Sequence, residues 1–330
     1  MTTQPPPEQS RPKTTILDLT QRLEAEEVLW STAELEARGI WHGERRRLVQ
    51  SRVLVQIQRG AYARRSHADG LRRSERAELR LHAHAKVYST RRNRGFVYSH
   101  TSAARIHGCQ LWHADEFVHV TCRSRTSPGR LCPATVMHHL SVAPDETDGT
   151  GFVEFTTLER TVVDCCRILD LEGSLVIMDQ ALRLGADRKL VERYAERLHG
   201  QRGVVNLRSV LELADPKSES MGETRTRFML WLLNMSMPVS QYEVMTDRGL
   251  RRLDFAWPDL MVALEFDGKI KYFGETPTDD AIAEERIRER RLMEMGWIFV
   301  RIDWKDLDNP VGVKRWIHAA WASARSRSRS

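Results

Sequence analysis

From Met261 to Phe266 the chain is almost continuously apolar, and just before it, from Arg252 to Trp257, apolar and charged residues alternate. A continuous apolar run suits a strand covered on both faces, and an alternating run suits a strand with one face on a core. The two predict strands joined at Trp257-Pro258-Asp259, with Leu253 and Phe255 on one face and Asp254 on the other. Upstream, the pattern predicts a helix over Leu207 to Ala214, another from Met221, a strand over Val239 to Val244 and a hairpin turn at Thr246 to Gly249. Downstream, it predicts a long helix from Thr276 to Glu294, a strand from Trp297 to Ile302 and a helical start at Trp304 to Leu307.

The N-terminal part has a different rhythm. Ile16, Leu19 and Leu23 space like one face of a helix, and Ser31-Thr-Ala-Glu34 reads as a capping box. A second helix is expected from Glu44 to Ser51. Val53, Val55 and Ile57 then alternate with Leu54, Gln56 and Gln58 before a turn and returning strand at Arg59 to Tyr62. Between these ends, helices are expected at Glu75 to Tyr88, after Thr156 and at Leu175 to Leu184. Strands are expected at Phe117 to Cys122, Thr135 to His139 and Phe152 to Phe155. Asp215-Pro216 marks a break before the last domain. The expected organisation is a tail over 1–13, domains over 14–70, 71–205 and 206–322, and a low-complexity basic tail over 323–330.

The 330 residues carry 51 Lys and Arg against 45 Asp and Glu, a net charge of +6, which suits a polyanionic partner. The basic residues are concentrated: positions 38 to 65 hold eight Arg and one acidic residue. Five Cys, with no Cys-x-x-Cys pair and no signal peptide, predict a reduced cytoplasmic protein. The longest apolar run, Phe228 to Leu233, is too short to span a bilayer, so no membrane partner is expected. His100, His107, His138 and His139 lack the spacing of a ligand set and read as structural or surface histidines. Cys165 and Cys166 point apart on a helix and read as core packing, and Arg160 with Asp164 as a helix ion pair.

Candidate chemistry lies at the end of the apolar strand. Glu265 and Asp267 stand two apart, Asp254 lies on the preceding strand, and Gly268 lets the backbone bend. Burying carboxylates together is costly unless something binds them, and a hard cation held by carboxylate oxygens and substrate phosphate meets that need. Ser220-Met-Gly-Glu223-x-Arg225, Asp254, Glu265-Phe266-Asp267-Gly268 and Glu285-x-x-Arg288-x-x-x-Leu292-x-x-x-Gly296-Trp297-x-x-x-Arg301 resemble the PD-(D/E)XK nuclease fold, in its very-short-patch-repair-like branch, over about residues 218 to 308. The resemblance implies a restriction-endonuclease-like α/β/α domain with Glu223, Asp254 and Glu265 around Mg2+ or Mn2+. Glu223, Asp254, Glu265, Asp267 and Lys269 would then be the catalytic set. Asp267 stands where the family has Lys, with Lys269 and Lys271 just beyond. Gln241 is a candidate for positioning water. Arg288 pairs with Glu285 or meets a phosphate, and Tyr272 is packing or a nucleic-acid contact.

The helix, helix–turn–helix and two-stranded wing of the first domain resemble the N-terminal winged helix of AbiEi-like antitoxins. Ser102-Ala-Ala-x-x-His107-Gly108 and Glu159-Arg-Thr-Val-Val-Asp164 resemble the α/β region that follows it. This implies DNA as a partner, with Arg45, Arg46, Arg47 and Arg59 on phosphates and guanine edges. It also implies a cognate toxin protein. The expected class is therefore α+β multidomain. Three functions stand open: a DNA-binding, metal-dependent endonuclease; a type IV toxin–antitoxin antitoxin and repressor with a non-catalytic nuclease-like domain; and an interaction protein with no nucleic-acid role.

Overall fold

A computed structural model describes residues 15–23, 26–88, 95–123, 133–150, 153–247, 249–268 and 290–327. The chain is a mixed α+β protein, with three sheets among the described residues, divided into two compact units. The first comprises Met1–Ile106 and Asp115–Thr157, the second His107–Ala114 and Leu158–Ser330. The division at 157/158 falls inside the stretch expected as one middle domain, and the helices after it belong with the C-terminal residues.

The first unit opens with α1 (Ile16–Gln21), β1 (Leu29–Ser31), α2 (Thr32–Ala37), α3 (His42–Gln50), β2 (Leu54–Gln58) and β3 (Ala61–Arg64). The three strands form a sheet in the order β1-β3-β2. Ser31 caps α2 as expected: its hydroxyl accepts from Glu34 N at 3.2 Å, and its own N–H reaches Glu34 Oε2 at 2.6 Å. Leu19, Leu23, Trp30, Leu35, Ile40, Leu48 and Leu54 close one small core. After α4 (Arg65–Asp69) comes α5 (Arg73–Tyr88), which packs on both sides. Its Leu79 and Ala83 meet Leu29, Ala61 and Ala63, and its Leu81 and Tyr88 meet Phe96, Tyr98, Val118 and Val120. The second group belongs to a sheet of β4 (Phe96–Tyr98), β5 (Val118–Cys122), β6 (Thr135–His138), β7 (Thr147–Thr150) and β8 (Val153–Thr156), in the order β6-β5-β4-β8-β7, with α6 (His100–Ile106) following β4.

The second unit pairs a helical layer with a sheet. The helices are α7 (Leu158–Cys165), α8 (Leu171–Arg183), α9 (Arg188–Arg197), α10 (Val204–Leu213) and α11 (Met221–Leu232). The strands β9 (Val239–Thr246), β10 (Gly249–Trp257), β11 (Val262–Phe266) and β12 (Ile298–Ile302) lie in the order β12-β11-β10-β9. β9, β10 and β11 form an antiparallel meander, and β12 adds parallel to β11. One face carries Phe255, Trp257, Val262, Leu264, Val300 and Ile302 under Met229 and Leu230 of α11 and the closing helix α12 (Pro310–Arg327). The other carries Ala256, Ala263 and Trp297 with Leu292.

Two expectations are corrected. The final helix starts at Pro310 and runs through Arg327, so positions 323–327 of the expected basic tail are helix. Ala320 and Ala324, four apart, are buried against the core, which holds that last turn in place. Along β10, Leu253 packs with Val244, Ala256 and Ala263, whereas Phe255 packs on the opposite face, so the expected alternation breaks at Asp254. The expected helix over 276–294 lies mostly outside the described residues. Arg160 and Asp164 form the expected ion pair at 3.0 Å, buried on α7.

The helical layer is fastened to α11 by one buried carboxylate. Asp179 of α8, fully buried, accepts from Arg227 Nη2 at 2.6 Å and Thr224 Oγ1 at 2.8 Å through one oxygen, and from Asp215 N at 2.8 Å through the other. Arg227 also donates to Leu213 O. Removing one partner of such a pair strands the other charge in the interior. Asp179→Ala is expected to lower unfolding stability by about 3–5 kcal/mol in urea melts; a loss under about 1 kcal/mol would contradict this account of the layer.

Candidate functional site

Glu223 sits in the first turn of α11, placed by the Ser220 cap: Ser220 Oγ accepts from Glu223 N at 3.1 Å and donates to Glu223 Oε1 at 2.8 Å. Glu223 Oε2 accepts from Glu219 N at 2.9 Å and from Gln241 Nε2 at 2.7 Å. Gln241 projects from β9 at a left-handed backbone position, φ 52°. The pairings Leu253↔Tyr242 and Phe255↔Ser240 set it opposite Asp254. Regular pairing of β10 with β11 runs from Trp257↔Val262 to Phe255↔Leu264. Beyond that point the Asp254 side chain takes over the strand's role, its Oδ2 accepting from Phe266 N at 2.9 Å. That exchange ties the break in alternation to the carboxylate site.

Phe266 in turn fixes α11. Its ring lies directly over Gly222, where a β-carbon would overlap it. Glycine at that position lets the helix bearing Glu223 approach the strand bearing Glu265. One turn on, Arg225 stacks 3.5 Å from the Trp112 ring centroid and pairs with Glu172 at 2.8 Å. Glu172 also accepts from Trp112 Nε1 at 3.1 Å. Trp304 meets the Phe266 ring edge to face at 5.0 Å.

The electrostatics follow from this packing. Burial pushes the Asp254 carboxyl up from 3.8 to about 6. The nearby Glu223 and Glu219 carboxylates push the same way, while Phe266 N–H and Arg252 hold it down. Glu223 and Asp254 thus lie near enough to act on one another. Glu265 and Asp267 stand half-buried at the end of β11, where Asp267 N donates to Ile302 O at 2.8 Å. Lys269, Lys271, Tyr272, Glu285 and Arg288 lie outside the described residues. Among the described residues, no group of three or more His, Cys, Asp or Glu is arranged to hold a metal ion.

An open cleft of about 580 Å³ lies beside the carboxylates, lined by Arg183, Lys217, Glu219, Gln241, Tyr242 and Arg252 among others. Sequence reasoning picked out only Gln241 of these. The rest come together through pairing of distant segments, such as Arg252 with Glu219 at 2.7 Å, for which no local pattern gives a signal.

In the first unit the four arginines separate. Arg45 is buried: its Nη1 bonds Glu36 Oε1 at 2.9 Å and Ile40 O at 3.2 Å. This corrects its expected place on DNA, because its guanidinium ties α3 to α2. Arg46 on α3 and Arg59 at the β2–β3 turn are exposed, and Arg47 is partly so. The structure also gathers His100, His119 and His138, of which His119 was not foreseen. His119 Nδ1 lies 2.9 Å from His138 Nε2, His119 Nε2 lies 3.0 Å from Asp115 Oδ1, and the His100 ring stacks on His138. Cys109, Cys122, Cys165 and Cys166 are buried.

No family model matches the chain. Two curated Mycobacterium tuberculosis sequences, "Uncharacterized protein MT2308" and "Uncharacterized protein Rv2248", are each 30% identical to it over 154 residues, covering 46% of this chain and 55% of the relative. The chain spans about half the length of the curated relatives it matches. Among solved structures, the RV2827C protein of Mycobacterium tuberculosis aligns at TM-score 0.38 and 15% identity, over 70% of this chain and 87% of that one. A likeness this slight carries no argument. No helix among the described residues is long and apolar enough to cross a membrane.

The raised Asp254 carboxyl makes stability depend on pH. Its proton is held more tightly in the folded chain, so it favours folding fully below about 4, and that contribution is lost as pH rises through about 6. Asp254→Asn keeps an acceptor for Phe266 N–H and removes the charge. Urea melts are expected to find the variant more stable at pH 8 by at most about 3 kcal/mol, at about 1.4 kcal/mol per pH unit, and the gain to vanish at pH 4. A gain independent of pH would contradict the assignment.

Proposed function

We propose that the chain is a DNA-binding protein whose C-terminal unit hydrolyses phosphodiesters with a divalent metal ion. The observation that carries this is geometric: Gln241, which bonds Glu223 at 2.7 Å, stands opposite Asp254 in the β9–β10 register, so two carboxylates, the second raised by burial and by the charges of Glu223 and Glu219, lie at one place. The donors are all oxygen, which fits Mg2+ or Mn2+. Mg2+ is commonly held by one or two carboxylates plus substrate phosphates, so a pair of protein ligands suits an ion that arrives with its substrate. Glu223 and Asp254 would hold the ion, with Glu265. When bound, it would polarise the scissile phosphate and lower the pKa of a water.

The chain's own residues do the rest. Gln241 holds Glu223 in place from β9. Phe266 N–H keeps the Asp254 carboxylate turned toward the end of β11. The meander with a parallel fourth strand, preceded by the helix that bears Glu223, supports a restriction-endonuclease-like reading of this unit. The strand order β1-β3-β2 after two short helices supports a winged helix at the N-terminus. There Arg46 and Arg47 would face the groove and Arg59 a phosphate.

One observation favours a second reading, an antitoxin-type repressor without catalysis. Both oxygens of Glu223 already accept internal hydrogen bonds, as in a carboxylate that only caps its helix. Incubating the protein with Mn2+ and labelled duplex, single-stranded and mismatched DNA separates the two. Cleavage is expected, falling at least about 100-fold in Asp254→Asn, in line with loss of a group that stabilises the transition state. Intact DNA of all kinds would leave the repressor reading. In either case, Arg46→Ala with Arg47→Ala is expected to weaken duplex binding and flatten its salt dependence, by a log–log slope of about 2. An unchanged slope would remove the winged helix from the interface.

A further inference from the structure

The cleft of about 580 Å³ is contiguous with the carboxylate cluster through two of its lining residues. Gln241 lines it and bonds Glu223 at 2.7 Å; Glu219 lines it and gives its backbone N–H to Glu223 at 2.9 Å. A ligand seated there would therefore be in direct reach of groups that touch the proposed metal ligands.

Its lining has a division of labour. Arg183 is committed to structure, its guanidinium donating to Ser218 O and Glu219 O. Those bonds hold the segment after Pro216 along the cleft. Lys217 is exposed at the rim, a mobile point charge that can follow a phosphate. Arg252 is half-exposed and paired with the equally half-exposed Glu219 at 2.7 Å. Exposed ion pairs of this kind are weak and exchange readily. An incoming phosphate offers the guanidinium the same kind of oxygen pair that Glu219 offers. Tyr242 adds a half-buried ring to the wall, itself supported by Trp297 at 5.9 Å.

We propose that this cleft seats one nucleotide of a single nucleic-acid strand, with its phosphate on Arg252 and Lys217 and the Glu219 carboxylate holding Arg252 in its absence. The assignment deepens the phosphodiesterase reading and rests on it for the strand's path, but the binding itself needs no catalysis. The size sets the class: a volume of about 580 Å³ lies within the range of small-ligand sites, room for one nucleotide. Basic groups along the backbone with an aromatic wall are the recurrent means of holding single strands. Glu219 is a stand-in for phosphate, so its removal has the opposite effect to removal of the cations.

The test is fluorescence anisotropy with a labelled four-nucleotide DNA, in EDTA, titrated with the full-length chain. Wild type is expected to bind with a salt-dependent Kd. Arg252→Ala with Lys217→Ala should raise Kd about 10-fold or more and reduce the log–log salt slope by about 1.4, two single-strand phosphate contacts. Arg252→Lys, which keeps the charge and the fold, should lose less, and Glu219→Gln should tighten binding several-fold. Unchanged Kd and slope in the double variant would overturn the proposal, as would weaker binding in Glu219→Gln. A duplex of the same length that binds more tightly than the single strand, through the same two residues, would overturn the single-strand assignment. Strand binding that depends on Arg252, with no cleavage under Mn2+, would sink the phosphodiesterase reading alone. Cleavage with strand binding intact in the double variant would sink this one alone.

Discussion

The second unit depends on the burial of Asp179. A carboxylate inside a protein is tolerable only where donors surround it. Here a guanidinium, a hydroxyl and a backbone N–H do so, two from α11 and one from the segment leading into it. Burial alone drives this carboxyl upward, and Arg227, the Asp215 amide and Thr224 oppose that push. The donors are directional, so the pairing sets the rotation and height of α11 against α8 more sharply than apolar packing would. Arg227 and Thr224 face Asp179, leaving Glu223 free to meet Gln241. Arg225, between them in sequence, goes to Glu172 and Trp112. Much of what surrounds the carboxylate cluster follows from how this one helix is seated.

The cluster shows two carboxylates in different employment. Glu223 accepts hydrogen bonds on both carboxylate oxygens, from Glu219 N, Ser220 Oγ and Gln241 Nε2. Among the described residues, Asp254 accepts from Phe266 N–H and has like-charged neighbours. A carboxyl raised by burial and by like charges beside it is a recurring feature of functional sites. The strand geometry contributes as well: a side chain that replaces a backbone rung must lie near the sheet plane, at the point where β10 and β11 part.

Much of the sheet is legible in the sequence, because its strands are runs such as Met261 to Phe266 that no amphipathic helix would show. The Ser31 and Ser220 caps are legible too, since each is set by residues three apart. Glu223, in the first turn of its helix, and Asp254, within a strand, are singled out in the sequence by resemblance alone. What escapes is non-local. Arg45, Arg46 and Arg47 look alike in sequence, and only Glu36 and Ile40 O decide that the first turns inward. The Arg252–Glu219 pair joins segments 33 positions apart. The link across Pro216 had a signal: Asp179 interrupts an apolar helix at Leu-Val-Ile-Met-Asp-Gln-Ala, and a lone acid there requires a partner from elsewhere. That partner lies beyond Pro216, so the break at that proline is a turn within one unit.

The central claim is that Asp254 and its neighbours complete a cation site together with substrate phosphate. Isothermal titration of Mn2+ into the protein holding an uncleavable phosphorothioate oligonucleotide addresses it directly, with an Asp254→Ala/Glu265→Ala double variant beside the wild type. The account predicts a saturable heat in the wild type that is absent from the variant. Equal heats in both, or none in either, would contradict it.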